Sequence, residues 1–253
     1  MPFLHVGDRK ISYSFDGRGE NVVFIHGSGE SKNSWNAQKD LKDGFRIISV
    51  DLTGHGESSK SLPTMGTYIE DLNSIIDLCD STPSIAGHSM GGAIVQKYAL
   101  EHGEKIEKLI LVSTGAKLRV SPLIFDLIRD NFDGVPDLME NFIFVEKSDH
   151  SMVNKAKEDI RNCGREILRR DFEICDKFNL MEEVGKIKNE TLIICGSEDV
   201  MTPKKYSNYL SERIRNSRLA VIEGVGHMVM LEKPREFNSL VRKFLEGDVE
   251  LTA

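Results

Sequence analysis

The serine at position 89 stands in a segment that suits nucleophilic chemistry. Residues 87–91 (GHSMG) follow an apolar, strand-like run and precede a helix-like run. A strand that turns sharply into a helix leaves no room for side chains beside the serine, which accounts for glycine two residues away on either side. The turn exposes the hydroxyl and leaves the next amide, that of Met90, free at a helix N-terminus. We therefore predict that Ser89 is a nucleophile that attacks a carbonyl carbon.

A serine hydroxyl is a weak nucleophile and needs a general base, for which the chain offers seven histidines. We favour His227, because it follows the strand-like residues 218–223 and precedes a loop that leads into a helix. This order places its imidazole at the edge of an open α/β sheet where sites form. His88, the neighbour of the nucleophile, points elsewhere on a tight turn, so we assign it a structural role. His26 and His55 lie in loop motifs and are expected to brace those loops.

A carboxylate should orient that base. Residues 191–195 (TLIIC) read as a buried strand, and the loop that follows carries Asp199 and ends at Pro203. Proline suits the first turn of a helix. A buried aspartate in this loop would fix the tautomer of His227 and stabilise its charged form. The neighbouring Glu198 is the local alternative, and we interpret it as a solvated loop carboxylate.

An oxyanion hole is expected near the start of the chain, after the strand-like residues 22–25. The following residues, 26–29 (HGSG), are small enough for backbone N–H groups to approach a developing negative charge. Such donors lower a barrier by about 3–4 kcal/mol each. The amides of Ser28 and Met90 are the expected pair, and the alternative reading of residues 26–29 is a flexible loop.

The order Ser89, Asp199, His227, with the HG pair upstream, resembles the α/β-hydrolase superfamily. Residues 51–58 (DLTGHGES) also resemble the D-x-x-G-x-G-x-S loop of that family, and the resemblance covers nearly the whole chain. It implies that these three residues form a catalytic triad and that the two amides named above bind the oxyanion. Asp51 is expected to be structural.

Size and composition agree with this fold. The chain has 253 residues, 40% of them hydrophobic, and a formal charge of −7, which argues against nucleic-acid binding. No apolar run approaches the roughly 20 residues of a membrane span, and we expect no signal peptide. The four cysteines form no C-x-x-C pair, and such usage suits a reducing compartment. We expect a cytoplasmic protein without membrane contact that needs no metal and no cofactor.

The strand and helix patterns alternate along most of the chain. Alternation of this kind predicts an α/β fold with a mostly parallel sheet of eight strands. The predicted strands are residues 3–6, 11–15, 22–25, 46–50, 84–86, 108–112, 191–195 and 218–223. We assign residues 1–116 and 186–253 to an α/β-hydrolase core and residues 117–185 to a helical cap inserted after the sixth strand.

Apolar residues recur at helical spacing in the predicted cap, in residues 123–128, 138–144 and 167–172. These apolar side chains either pack wholly within the cap, or some of them also line a pocket above Ser89. An apolar roof would favour an acyl or aryl substrate of modest size. The candidate pocket residues are Gly27, Phe125, Ile128, Phe142 and Phe144.

The residues and the resemblance together favour a carboxylesterase that works through an acyl-enzyme on a small-molecule ester or lactone. Three alternatives remain: an enol-lactone hydrolase, a C–C bond hydrolase of ring-cleavage products, and a non-enzymatic ligand sensor that uses the same pocket. Relatives that open epoxides or displace halide carry aspartate where this chain has Ser89. Acyl chain length, stereopreference and oligomeric state depend on packing that the sequence does not specify.

Overall fold

The structure, a computed structural model, describes residues 2–248. Eight strands form one sheet in the order β1-β2-β4-β3-β5-β6-β7-β8. The strands are β1 (Phe3–Val6), β2 (Arg9–Asp16), β3 (Arg18–Ile25), β4 (Asp43–Val50), β5 (Ser84–His88), β6 (Lys108–Val112), β7 (Glu190–Gly196) and β8 (Ser217–Ile222).

Antiparallel pairing is confined to the start of the sheet. β1 pairs with β2 and β2 with β4 in antiparallel fashion, whereas every later pair is parallel. The carboxyl ends of β3, β5, β7 and β8 therefore meet at one edge of the sheet. The predicted fold class, an eight-stranded and mostly parallel sheet, is confirmed.

Nine α-helices lie among the described residues. They are α1 (Met65–Ile76), α2 (Met90–His102), α3 (Pro122–Asp130), α4 (Val135–Ile143), α5 (His150–Cys163), α6 (Arg165–Lys177), α7 (Lys204–Arg213), α8 (Val229–Glu232) and α9 (Pro234–Leu245). A 3₁₀ segment, Lys32–Lys42, links β3 to β4. None of the helices in residues 2–248 is both long and apolar enough to span a membrane.

Four of these helices, α3 to α6, follow the sixth strand and form the cap. The helix α5 lies outside the three segments predicted from periodicity, because polar residues dominate it and only Val153, Ile160 and Cys163 are buried. An isolated antiparallel bridge between Lys117 and Asn179 closes the two ends of the insertion. The proposed cap range of 117–185 begins at this bridge. Met1 and residues 249–253 of the proposed core lie outside the described residues.

The apolar core has one cluster on each face of the sheet. On one face, Phe24 and Val112 of the strands share a cluster with Met139 and Leu168 of the cap. Trp35 packs there against Phe24, with a ring centroid distance of 4.8 Å. The second cluster packs α1 and α2 against the opposite face. The cap therefore continues the core of the sheet and covers the edge where the strands end.

Candidate active site

The predicted turn at Ser89 is built as a strained elbow between β5 and α2. Ser89 adopts φ 51° and ψ −113°, a region that non-glycine residues rarely enter. A Cβ atom at Gly87 would collide with the carbonyl of Gly91, so the bend requires glycine there. Two hydrogen bonds hold the elbow: the Ser89 N–H donates to the Val112 carbonyl at 2.9 Å, and the Thr114 hydroxyl donates to the Ser89 carbonyl at 2.8 Å.

His227 and Asp199, which follow β8 and β7, form a buried pair. Nδ1 of His227 lies 2.8 Å from Oδ2 of Asp199, and the imidazole is only 3% exposed. Thr202 binds the same carboxylate through its hydroxyl at 2.8 Å and its N–H at 2.9 Å. Burial raises the pKa of the Asp199 carboxyl, but the charge of His227 and the hydrogen bonds from His227 and Thr202 outweigh it and lower that pKa to about 2.

The Asp199 contact decides the tautomer of His227. An ionised carboxylate can only accept, so Nδ1 must carry a proton, which leaves Nε2 as the proton acceptor of the neutral ring. The backbone N–H of His227 donates to the carbonyl of Ile143, at the end of α4, at 2.8 Å. The cap thus holds the histidine loop directly.

The two predicted oxyanion donors, Ser28 and Met90, stand at the ends of β3 and β5. A turn closes from the Gly27 carbonyl to the Glu30 N–H at 3.3 Å, and Gly29 adopts φ +71° within it. Neither the Ser28 nor the Met90 amide donates to another protein group among the described residues. Both amides are therefore free to bind a ligand oxygen.

A second carboxylate–imidazole pair lies beside the nucleophile. Nδ1 of His88 is 2.7 Å from Oε1 of Glu30, and Nε2 of His88 is 3.1 Å from the backbone carbonyl of His227. Burial raises the pKa of Glu30, but the charge and hydrogen bond of His88 lower it to about 2. His88 therefore ties the turn after β3 to the loop of His227, which fits its predicted structural role.

Ser28, Ser89 and His227 line one small cavity of about 30 Å³ under the cap. Glu30 lines it as well, and no lysine or arginine among the described residues does. Its remaining walls are mainly apolar side chains from α4, α5, α6 and the loops after β7 and β8: Met139, Ile143, Ile160, Phe172, Met201 and Met228.

Comparisons with known proteins agree with this fold. The model of a family described as "Alpha/beta hydrolase family" matches residues 22–240. The chain belongs to this family. It is 34% identical to a thermophilic esterase of known structure, with a TM-score of 0.88 over 98% of each chain. It is 22% identical to the enol-lactonase of Burkholderia xenovorans, with a TM-score of 0.89 over 97% of this chain and 100% of the other.

A curated relative carries a different activity in its name. The chain is 27% identical to the 2-hydroxy-6-oxo-6-(2'-aminophenyl)hexa-2,4-dienoic acid hydrolase of Metapseudomonas resinovorans, over 99% of this chain and 92% of the relative. Esterases, a lactonase and this hydrolase thus all resemble the chain, so resemblance by itself does not choose among their substrates.

The cap of this α/β-hydrolase also holds the turn that carries Ser28, a predicted oxyanion donor. Asp171 of α6 is fully buried and accepts from the Gly29 N–H at 3.1 Å, the His55 ring at 2.8 Å and the Tyr68 hydroxyl at 2.6 Å. Burial lowers the pKa of His55, but the charges and hydrogen bonds of Asp171 and Cys163 raise it well above its usual range. His55 therefore braces a loop, as expected, and does so through the cap.

His55, Cys163 and Asp171 are residue types that can bind a metal ion. Atoms of His55, Cys163 and Asp171 lie within 4.8 Å of one another, the one such group among the described residues. Both carboxylate oxygens of Asp171 already accept hydrogen bonds from protein donors. Hydrogen bonding within the protein explains why these three side chains lie together, so we assign no metal site to them.

His26 and Asp51, the other two loop residues expected to be structural, hold their loops in place through hydrogen bonds. His26 lies between the Gly27 carbonyl and the Leu52 N–H, at 2.8 and 3.1 Å. Burial and the neighbouring His55 lower the pKa of His26 to about 4, so its ring is neutral at neutral pH. Asp51 is buried and accepts from the ammonium of Lys32 at 2.5 Å.

None of the five candidate pocket residues lines this cavity. Phe142 is 42% exposed on the outer face of α4, Ile128 and Phe144 are buried in the apolar cluster, and Phe125 packs against that cluster. Gly27 is close to the cavity, but a Cβ there would meet Glu30 and His88. The docking of α4 explains the position of Phe142, because it turns Met139 and Ile143 inward and Phe142 outward.

Sequence reasoning missed two charged residues of the site. Asp171 interrupts the buried stripe of α6 between Leu168 and Ile174, and a lone carboxylate on an apolar helix face is a detectable signal. Glu30 follows the HGSG segment directly, so its position beside the oxyanion donors could have been read from the motif.

Proposed function

We propose that this chain is a carboxylesterase that uses Ser89, His227 and Asp199 as a catalytic triad. The observation that carries the proposal is the 2.8 Å bond between Asp199 and His227, next to a cavity that His227 shares with Ser89. A hydroxyl on a strained elbow and an oriented imidazole are the two parts that acyl transfer needs.

In the proposed reaction, Nε2 of His227 takes the proton of Ser89 as the hydroxyl oxygen attacks the ester carbonyl. The negative charge on the resulting tetrahedral carbon's oxygen is stabilised by the N–H groups of Ser28 and Met90. His227 then donates its proton to the leaving alcohol, and an acyl-enzyme remains. Water, deprotonated by His227, attacks the acyl group and releases the carboxylic acid and free Ser89.

The walls of the cavity favour an ester over a carboxylated substrate. The dienoic acid in the name of one relative is an anion at neutral pH, and a buried anion needs a cationic partner. No such partner lines the cavity in residues 2–248, and the carboxylate of Glu30 does. The relative at 34% identity is an esterase, which supports the same choice.

The size of the cavity further favours a short acyl group. A volume of about 30 Å³ holds one small group. Longer acyl chains would displace apolar side chains of the cap, at an energetic cost. We therefore propose acetate-sized esters as the preferred substrates.

The test is hydrolysis of p-nitrophenyl acetate by the wild-type chain and by Ser89→Ala. Loss of the nucleophile should lower kcat by about 10⁴-fold or more, because the base is then left without its partner. Ser61→Ala, an exposed loop serine, is the matched control and should keep wild-type turnover. A fluorophosphonate probe should label Ser89 alone, and near-normal turnover by Ser89→Ala would refute the proposal.

A further inference from the structure

A groove of about 390 Å³ adjoins the catalytic cavity. It runs between the 3₁₀ segment Lys32–Lys42 and the cap helix α5, and exposed residues such as Asn33 and Asn36 open it to solvent. Glu30 and Ala156 line both the groove and the cavity. The groove therefore lies directly beside the cavity of Ser89, and Glu30 stands between the two.

The groove is acidic. Its lining contains three carboxylates, those of Glu30, Asp149 and Asp159, and one lysine, Lys155. The formal charge of the groove is therefore −2. Asp159 is half-buried, and burial, Glu30 and Asp51 raise the pKa of its carboxyl to about 6, so it is mostly ionised at neutral pH. Three carboxylates along one groove create a negative potential that a cation would relieve.

The carboxylate of Glu30 is only partly used by the protein. Its Oε1 binds His88, whereas its Oε2 is buried and has no hydrogen-bond partner among the described residues. A buried ionised oxygen without a partner is costly and is relieved by a donor or a positive charge nearby. The junction between cavity and groove thus favours a positive group on the substrate.

We infer that this site selects esters of cationic alcohols, with the acyl group in the apolar cavity and the positively charged alcohol in the groove beside Glu30 and Asp159. The inference rests on the proposed ester hydrolysis and names its substrate class. The apolar walls suit the acyl half, and the charged walls of the groove suit the alcohol half. Anionic esters are disfavoured by the same carboxylates.

The experiment compares acetylcholine with its neutral isostere, 3,3-dimethylbutyl acetate, and with anionic 4-acetoxybutanoate. The first two differ in charge and hardly in shape, so the ratio of their kcat/KM values measures electrostatic selection. In a solvent-open groove we expect the wild-type chain to prefer the cation by about fivefold or more, and to disfavour the anion by a similar factor. Addition of 0.5 M salt should reduce both factors.

Two variants test whether the carboxylates of the groove cause the preference for the cationic ester. Asp159→Asn removes a charge from the groove without touching the triad, and it should lower the ratio of cationic to neutral kcat/KM by about threefold. Glu30→Gln should lower the same ratio, with an additional loss of kcat because Glu30 also holds His88. Glu166→Gln, at an exposed position on α6 outside the groove, is the matched control and should keep the wild-type ratio.

The outcomes separate this inference from the proposed function. Ser89-dependent hydrolysis of the neutral acetate with a wild-type ratio of one or less would overturn the inference and leave the esterase intact. A preference for the cation that Asp159→Asn and Glu30→Gln leave unchanged would also overturn it. Failure to hydrolyse any acetate would instead refute the proposed function.

Discussion

Three histidine rings pair with carboxylates, His227 with Asp199, His88 with Glu30 and His55 with Asp171, and only one of the rings has a nitrogen without a second partner among the described residues. His88 uses its second nitrogen on the His227 carbonyl, and His55 places its second nitrogen 3.2 Å from the Thr53 carbonyl. Among the described residues, Nε2 of His227 makes no such contact. At the scale of single residues, His227 is therefore the one histidine of the three pairs with a ring nitrogen free for the proposed general base.

The pKa of Asp199 predicts how stability depends on pH. Its value of about 2 lies below the ordinary 3.8, so the ionised carboxylate stabilises the folded chain fully above about pH 4 and progressively less as pH falls toward 2. The contribution amounts to about 2 kcal/mol at neutral pH. The difference in unfolding free energy between wild type and Asp199→Asn, measured in urea, should shrink by about 1 kcal/mol from pH 6 to pH 3. A constant difference would contradict this account.

At the scale of elements, the cap holds two loops of the proposed active site. α4 accepts the N–H of His227 through the Ile143 carbonyl, and α6 accepts the N–H of Gly29 through Asp171. The two loops that the proposed reaction needs in alignment are thus both anchored to cap helices. A change in cap packing should therefore alter turnover even where the triad is untouched.

Asp171→Asn tests the anchor on the turn that carries Ser28. The Gly29 N–H and the His55 ring both bind Oδ2 of Asp171, and the Tyr68 hydroxyl binds Oδ1. An amide has one acceptor oxygen and no charge, so it cannot accept all three hydrogen bonds, and those to Gly29 and His55 lose their charge assistance. We expect kcat to fall about tenfold with little change in KM, because the turn that presents the Ser28 amide loosens. The melting temperature should also fall, because charged His55 loses its partner. Glu166→Gln, exposed on the same helix, is the control, and an unchanged kcat in folded Asp171→Asn would contradict the anchor.

Met139→Ala tests the wall of the acyl cavity. Removal of this side chain from α4 should enlarge the cavity and raise kcat/KM for p-nitrophenyl hexanoate relative to the acetate by about tenfold. The variant should lose roughly 2–3 kcal/mol of stability, as other core truncations do. Leu123→Ala, on a side chain of the cap that is 73% exposed, should change neither property. An unchanged chain-length preference in folded Met139→Ala would place the acyl group elsewhere.

At the scale of the whole molecule, one apolar cluster joins the cap to the sheet. Cap residues such as Met139 and Leu168 belong to the same cluster as Phe24 and Trp35 of the core. A cap that merely rested on the core would have a cluster of its own. The molecule is therefore expected to unfold as a unit.

Coincident unfolding transitions should follow from this shared core. Trp35, the single tryptophan of the chain, is fully buried and reports on the core by fluorescence, whereas far-ultraviolet circular dichroism reports on all helices, including those of the cap. The urea midpoints of the two signals should agree. An early loss of helical signal with unchanged tryptophan fluorescence would mean that the cap melts first.

The sequence alone was sufficient to predict the strands, the sharp turn at Ser89 and the order of the three candidate catalytic residues along the chain. These features depend on short-range rules: apolar runs that bury as strands, glycine where a bend has no space, and polar residues just after strand ends. The parallel topology brings distant strand ends to one edge, so the sequence predicts that Ser89, Asp199 and His227 lie at the same edge of the sheet.

Only the tertiary structure decided which side chains line the cavity and which charges meet there. Periodicity shows that α4 has apolar residues, but the docking of the cap selects Met139 and Ile143 over Phe142 for the wall. Likewise, Glu30 meets His88 across 58 positions and Asp171 meets His55 across 116. Such pairings depend on how elements pack in three dimensions, and local sequence patterns carry no information about that packing.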